Sequence, residues 1–173
     1  MARNLAKAAS NAGRSLERLR LGRQVIETEA SALVEMARDL GDTFVEAVEL
    51  LLGIQGRLIV TGIGKAGLIG AKLAATFSST GTPSHFLHPA EAIHGDLGSV
   101  QSQDIVLVLS YSGETSEITR LLPCLRQQAH RLIAITGSAS SQLAKSSDVV
   151  LLLPSTKEAC FQGLAPRTST TAM

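Results

Sequence analysis

The chain has 173 residues, which fits one domain, since a single core commonly spans roughly 100–200 residues. Hydrophobic residues make up 45% of it and charged residues 18%, which excludes general disorder and supplies a buried core. The formal net charge of +1 and the aromatic content of 3% argue against nucleic-acid and membrane-surface binding, because both need a cationic excess and base stacking needs aromatic rings.

Cysteine usage and apolar run length predict a cytoplasmic protein. Cys124 and Cys160 are the two cysteines and form no CxxC pair, which favours a reducing compartment. Apolar runs such as Ile105–Leu109 are far shorter than the ~20 residues of a membrane span, and no apolar signal segment follows the first residues.

Two helices are predicted at the start of the chain. Between Gln24 and Leu40 apolar residues recur at helical spacing, with charged residues between them. Thr43 followed three residues later by Glu46 is a capping-box pattern, which predicts that a second helix begins there. Residues 1–23 are predicted to be a helical or flexible segment, and residues 24–173 to be the folded domain.

Beyond these helices, five short apolar runs alternate with helical stretches. The runs show little polar alternation, as expected of parallel strands that are covered on both faces. The pattern predicts an α/β three-layer sandwich with a five-stranded parallel sheet and right-handed crossovers. The runs are Arg57–Thr61, Ser84–Leu87, Asp104–Leu109, Arg131–Thr136 and Asp148–Leu153, and the main helical stretches are 65–78, 114–128 and 140–145.

The last residues are a hydroxyl-rich run, 168–171, followed by Ala172 and Met173. Hydroxyl side chains are typical of a helix N-cap. We therefore expect a helix to begin here, so that the domain is cut before its last helix.

The exit of the first strand carries Gly62, Gly64 and Gly67 in GxGxxG spacing. This is weak evidence for dinucleotide binding, because the acidic residue expected after the second strand is absent. Lys65 adds a cation at a helix start, where the helix dipole is already positive, and an anionic ligand would relieve this. The alternative is an exposed, solvated lysine.

The exit of the third strand, 110–115, reads SYSGET, three hydroxyls besides the tyrosine and a glycine at the start of a helix. Small donors and free amides at a helix N-terminus can hold a phosphate group. The alternative is that Ser112 and Thr115 only cap the helix. Ligands of open parallel sheets collect at such strand ends, which favours the phosphate site.

Residues 110–117 resemble the SxSGE[ST]xE signature of the sugar isomerase (SIS) domain family. Segments 62–67, 88–98 and 157–166 are in addition similar to those of the D-arabinose-5-phosphate isomerases of the Kdo pathway. The resemblance covers residues from about Gln24 to the end, without the paired CBS domains common in that family. It implies a flavodoxin-like sandwich with strand order 2-1-3-4-5, interconversion of D-ribulose 5-phosphate and D-arabinose 5-phosphate through an enediol, and a homotetramer.

Such a reaction needs a base, a group that stabilises the oxyanion and a phosphate anchor. The resemblance implies acid–base roles for Glu117 and Glu158 in either order, polarisation by Lys65 and assistance by His94. It also implies phosphate binding by Ser110, Ser112 and Thr115, and substrate contacts from Gly64, Ser169 and Thr170. We expect no cofactor and no metal, since His88 and His94 alone define no metal site.

Each ionisable candidate also has a plain structural alternative. Glu117 is a first-turn carboxylate that the helix dipole favours. Glu158 could pair with the neighbouring Lys157, and His94 could be a loop histidine bonded to Asp96.

Two other functions stay open, a non-catalytic phosphosugar-sensing SIS domain and a hexulose-6-phosphate isomerase. The apolar N-terminal helices favour a homo-oligomer, because they carry more apolar surface than one small sheet needs.

Overall fold

Five parallel strands form one sheet. They are β1 (Leu58–Gly62), β2 (Ser84–Phe86), β3 (Ile105–Leu109), β4 (Arg131–Thr136) and β5 (Val149–Leu152), and they lie in the order β2-β1-β3-β4-β5. The predicted parallel sheet and its strand order are confirmed, with strand ends that differ by one residue. This computed structural model describes residues 2–129, 131–155, 157–160 and 165–173, with side chains from residue 13 onward. Part of the 157–166 segment used for the family resemblance lies outside the described residues.

Seven helices lie within the described residues, together with a short 3-10 turn at Asp96–Ser99. The helices are α1 (Ala2–Asp39), α2 (Asp42–Leu52), α3 (Gly64–Ser79), α4 (Pro89–Ile93), α5 (Ser116–Gln128), α6 (Gln142–Ser146) and α7 (Thr168–Ala172). α1 runs without interruption across the predicted boundary at residue 23. None of the described helices is long and apolar enough to span a membrane.

Two predicted helix caps are wrong. α2 begins at Asp42 after Gly41, without a side-chain cap, so Thr43 lies inside the helix instead of capping it. The amide of Phe44 donates instead to the carbonyl of Gly41. At the end of the chain the hydroxyl residues lie within α7, whose N-cap position is held by Arg167 without a side-chain cap bond.

Alternating side chains of the strands build one apolar core on each face of the sheet. Leu58 and Val60 of β1 face α2 and α3, whereas Ile59 faces α5. Both central strands, β1 and β3, are buried along their whole length. A fully buried Leu or Ile contributes roughly 1.5–3 kcal/mol, so these two strands form the most firmly held part of the domain.

The strand order reverses between β1 and β3, because β2 lies on one side of β1 and the later strands lie on the other. Gly62 at the end of β1 pairs with Leu109 at the end of β3. The loops that follow therefore leave the sheet side by side, at the place where open parallel sheets bind ligands.

Candidate active site

The turn between β1 and α3 is shaped by three glycines. Gly64 has a φ of +61°, a conformation that glycine adopts without steric cost. A Cβ on Gly67 would lie 2.7 Å from the carbonyl oxygen of Gly62, and one on Gly62 would lie 3.1 Å from the carbonyl oxygen of Leu109. The predicted GxGxxG spacing therefore serves close packing of α3 on the strand. Lys65 follows in the first turn of α3, with its side chain exposed.

The loop between β3 and α5 places its hydroxyls together. The Oγ of Ser110 lies 3.0 Å from the Oγ1 of Thr115 and accepts a hydrogen bond from the amide of Gly113 at 3.2 Å. The Oγ of Ser112 accepts from the amide of Glu114 at 3.2 Å. Thr115 occupies the N-cap position of α5 without a side-chain cap bond. Its hydroxyl therefore faces Ser110 and not the helix, unlike the capping alternative.

The strand β4 supports this loop from one side. The carbonyl of Tyr111 accepts hydrogen bonds from the amide of Gly137 at 2.8 Å and from the hydroxyl of Thr136 at 3.1 Å. The amide of Ser110 donates to the carbonyl of Ile135 at 3.1 Å. Because β4 is an interior strand, paired with β3 and β5, the loop starts from a rigid support.

Glu117 lies in the first turn of α5, directly after the hydroxyl loop. The Ser116 hydroxyl donates to its Oε2 at 2.8 Å. This bond and a second one from its own backbone amide hold the pKa of the Glu117 carboxyl below its ordinary value. Glu117 is therefore ionised at neutral pH, as a proton-abstracting base requires.

Glu158 is bound by the start of α7. Its oxygens accept hydrogen bonds from the amides of Arg167 at 2.6 Å, Thr168 at 2.9 Å and Ser169 at 3.2 Å, and from the hydroxyl of Ser169. Burial raises the pKa of this carboxyl, but the hydrogen bonds from Ser169, Arg167 and Thr168 outweigh burial and hold it below its ordinary value. Glu158 thus caps α7, which differs from the structural alternative of a surface ion pair with Lys157.

The two histidines lie at opposite ends of α4. The Nδ1 of His88 accepts from the amide of Ala90 at 3.2 Å and so caps the helix, whereas His94 follows its last residue and is exposed. No hydrogen bond joins the His94 imidazole to Asp96 in the described part of the chain. The same part contains no group of three or more His, Cys, Asp or Glu residues that could hold a metal ion.

The other two predicted substrate residues lie on α7, which packs against α1 and contacts α3. The Ser169 hydroxyl is bound to Glu158, and the Thr170 hydroxyl donates to the carbonyl of Pro166 at 2.7 Å. Both hydroxyls are therefore engaged within this segment.

The structure gathers the predicted residues into three groups along one edge of the sheet. The hydroxyl loop and Glu117 form one group, and Gly64 with Lys65 forms a second at the neighbouring strand exit. Glu158 and Ser169 form the third, after β5. His94 follows α4, which packs against α5.

Sequence reasoning missed Thr61, the residue before the glycine turn. Its side chain is 1% exposed, and its Oγ1 has no hydrogen-bond partner among the described residues. It points to the same face of the sheet as Ile59, the face that α5 covers. A hydroxyl near the end of an otherwise apolar strand was the available signal.

Comparison with known proteins adds an independent line of information. Residues 51–173 match the family described as SIS domain. A probable arabinose 5-phosphate isomerase of Haemophilus influenzae is 46% identical over 157 residues, which are 91% of this chain and 47% of that protein. The arabinose 5-phosphate isomerase KdsD of Shigella flexneri is 49% identical over 151 residues, 87% of this chain and 46% of that protein. The chain therefore spans about half the length of the curated relatives it matches.

Solved structures show the same likeness. The Escherichia coli CFT073 protein c3406, solved in complex with arabinose 5-phosphate, superimposes with a TM-score of 0.86 and 41% sequence identity. The match covers 91% of this chain and 84% of that one. Most of the domain described above therefore has the fold of a solved relative.

Proposed function

Because the chain belongs to the SIS domain family, we propose that it interconverts D-ribulose 5-phosphate and D-arabinose 5-phosphate. The observation that carries the proposal is the hydroxyl loop at the start of α5, followed directly by the ionised Glu117. A phosphate anchor and a base are thereby one helical turn apart.

The loop after β3 supplies the phosphate anchor. The hydroxyls of Ser110, Ser112 and Thr115 and the amides at the start of α5 bind the phosphate of the substrate. The positive end of the α5 dipole adds to the attraction for an anion.

The reaction moves one proton between adjacent carbons. A carboxylate removes a proton from C1 of the ketose, the electrons form the C1–C2 double bond, and the C2 carbonyl oxygen becomes an oxyanion. Lys65 stabilises this oxyanion. The proton then returns to C2, O1 loses its proton as the aldehyde forms, and O2 gains one, a transfer assisted by His94.

Glu117 and Glu158 are the two candidates for the base. The contacts favour Glu117, because Glu158 would have to release donors of α7 before its oxygens could accept a proton. Glu158 then serves as the second acid–base group, and Gly64, Ser169 and Thr170 contact the sugar.

Proton NMR of the wild-type chain with ribulose 5-phosphate in D₂O tests the proposal. We expect arabinose 5-phosphate signals to appear and its C2 position to carry deuterium, because the abstracted proton exchanges with solvent. Conversion of a hexulose 6-phosphate alone would favour the hexose enzyme. Binding of arabinose 5-phosphate without turnover of any pentose or hexose phosphate would favour the sensor.

We further propose that the product supplies Kdo synthesis, and hence lipopolysaccharide, in the cytoplasm. The names of the similar proteins support this assignment. Expression of the chain in a bacterium that lacks arabinose-5-phosphate isomerase should restore Kdo-containing lipopolysaccharide. Restoration only when arabinose 5-phosphate is also added to the medium would contradict it.

We also propose that the chain assembles as a homotetramer through α1. Four exposed apolar residues, spaced three or seven residues apart, lie along one side of this helix. The exposed fractions are 68% for Leu16, 58% for Leu19, 68% for Ile26 and 39% for Leu33. A second copy of the helix would cover this stripe.

The charge distribution of α1 fits a copy in the opposite direction. Arg20 and Arg23 lie before Ile26, and Glu27 and Glu35 lie after it. Light scattering should show a tetramer for the wild type and a smaller species for Ile26→Glu. Glu46→Lys alters the charge at an exposed position of α2, outside this helix, and should leave the mass unchanged. A wild-type monomer at micromolar concentration would contradict the assembly.

A further inference from the structure

An acidic residue lies inside the proposed phosphate loop, where its charge opposes anion binding. The structure shows how the carboxylate of this residue, Glu114, is bound. The Oε1 of Glu114 accepts a hydrogen bond from the backbone amide of Gln142 at 2.7 Å, and its Oε2 accepts from the side-chain amide of Gln142 at 2.9 Å. Both oxygens are therefore bound to the first residue of α6.

The preceding glycine is tied to the same helix. The carbonyl of Gly113 accepts a hydrogen bond from the amide of Leu143 at 3.1 Å. Gly113 has a φ of +65°, and a Cβ at this position would collide with the side chain of Ser141. The loop and the start of α6 thus fit together with no room for another side chain.

The start of α6 is itself held in place. The hydroxyl of Ser141 donates to the carbonyl of Ser138 at 2.8 Å and accepts from the amide of Ala144 at 3.2 Å, which caps the helix. Leu143 is completely buried in the core. The helix is therefore a fixed support for the loop.

Glu114 lies between Gly113, whose amide binds the Ser110 hydroxyl, and Thr115, whose hydroxyl faces Ser110. We propose that Glu114 and Gln142 are positioning residues, which hold loop 110–115 in its phosphate-binding shape and keep the Glu114 charge turned toward α6. This inference rests on the proposed function, since it assigns the loop to the substrate phosphate.

The test compares binding with turnover. Glu114→Gln cannot accept hydrogen bonds at both side-chain positions, and Gln142→Ala removes the donor to Oε2. We expect each variant to raise the KM for ribulose 5-phosphate and the inhibition constant of inorganic phosphate together, by about tenfold, because a hydrogen bond to a charged group is lost. We expect kcat to stay within about twofold of the wild type.

A double variant and two matched controls sharpen the test. Combining Glu114→Gln with Gln142→Ala should raise KM no further than the stronger single variant, because both disturb the same side-chain contact. Glu46→Gln on α2 and Gln127→Ala on α5 make similar changes at exposed positions away from the loop, and they should leave both constants unchanged.

Several outcomes would overturn the inference. A fall in kcat of a hundredfold or more at unchanged KM for Glu114→Gln would make Glu114 a catalytic residue instead. A lower melting temperature with unchanged KM and phosphate inhibition would leave Glu114 and Gln142 with only a structural role. Additive effects in the double variant would show that the two residues act independently. Isothermal titration with arabinose 5-phosphate replaces KM if the wild type binds without turnover, in which case only the isomerase proposal fails. A wild type that binds no sugar phosphate would remove both.

Discussion

The two strand exits at the centre of the sheet are built in opposite ways. The turn after β1 is shaped by missing side chains, since Gly62 and Gly67 let backbone atoms approach each other closely. The loop after β3 is shaped by hydrogen bonds, between Ser110 and Thr115 inside it and from Thr136 of β4 to the carbonyl of Tyr111. The two exits nevertheless lie side by side, because Gly62 pairs with Leu109.

This difference indicates that the two strand exits have different functions. A turn without side chains leaves open space in which the exposed Lys65 can reach a ligand. A hydrogen-bonded loop presents hydroxyls in fixed positions, as recognition of a phosphate requires. We therefore expect substitutions after β1 to affect packing and substrate polarisation, and those after β3 to affect phosphate affinity.

The largest expected effects concern the charged group at each exit. Glu117→Gln should lower kcat by about 10²–10⁴-fold, because it removes the proposed base. Lys65→Met should lower kcat by about 10²–10³-fold, because it removes the charge that we propose to stabilise the oxyanion. Steady-state kinetics with ribulose 5-phosphate measures both, with Glu46→Gln as the control. An unchanged kcat in either variant would contradict the role of that residue.

The glycines offer a direct comparison of the two exits. Gly113→Ala should lower the free energy of unfolding by at least about 1–2 kcal/mol, the cost of the left-handed conformation, and should also weaken phosphate binding. Gly67→Ala should cost about 1–3 kcal/mol through overpacking against Gly62. Urea unfolding measures both values.

Gly22→Ala in α1 is the matched control for these substitutions. A Cβ at this position meets nothing within 4 Å. The variant should raise stability by about 0.5–1 kcal/mol, because alanine favours a helix more than glycine does. Equal effects at all three positions would show that local packing is not the cause.

Removing one buried hydroxyl at each exit should change the free energy of unfolding by a smaller amount. Ser110→Ala should lower the free energy of unfolding by about 1 kcal/mol, because the Thr115 hydroxyl loses its partner. Thr61→Val should be neutral or stabilising by up to about 1 kcal/mol, because the Thr61 hydroxyl is buried without a partner among the described residues. Thermal unfolding at neutral pH measures both, and a large loss for Thr61→Val would reveal a partner for that hydroxyl.

The smallest effect on stability is expected at a third strand exit, after β5, where Glu158 lies. Burial raises the pKa of Glu158, but its hydrogen bonds lower it further, so the folded value lies below the unfolded one. The ionised Glu158 therefore adds to the free energy of unfolding above about pH 4.5, and this contribution is lost as the pH falls through the lowered folded pKa. The melting temperature of Glu158→Gln should therefore approach that of the wild type in acid. A constant difference between pH 3 and 7 would contradict this account.

Much of the fold is readable from short apolar runs. β3 is an uninterrupted apolar segment and β4 is apolar from Leu132 to Ile135, and the burial of these residues follows from that pattern. The start of α2 was not readable, because Thr43 and Glu46 fit a capping box while the N-cap position is held two residues earlier, by Gly41. The hydroxyls near the end of the chain look like a cap, although Glu158 supplies it from a distant part of the sequence.

In the candidate site, too, the sequence indicated residue types but not their hydrogen-bond partners. The residue types of the hydroxyl loop and the GxGxxG turn are visible in the sequence, and so is the prediction that both lie at strand ends. The partners of the three glutamates were not visible. Glu114 binds Gln142, Glu158 binds the start of α7, and Glu117 binds its neighbour Ser116.

The sequence by itself therefore determined the strands, their parallel arrangement and the chemical groups at their ends, because these depend on local apolar runs and on residue type. Only the tertiary structure decided the partners of the three carboxylates. Backbone amides of α7 bind Glu158, the first residue of α6 binds Glu114, and the neighbouring Ser116 binds Glu117. The reason is that Glu114 and Gln142 are 28 residues apart and meet only when the sheet places the exits of β3 and β4 side by side. Glu158 and Ser169 are 11 residues apart and meet at the start of α7.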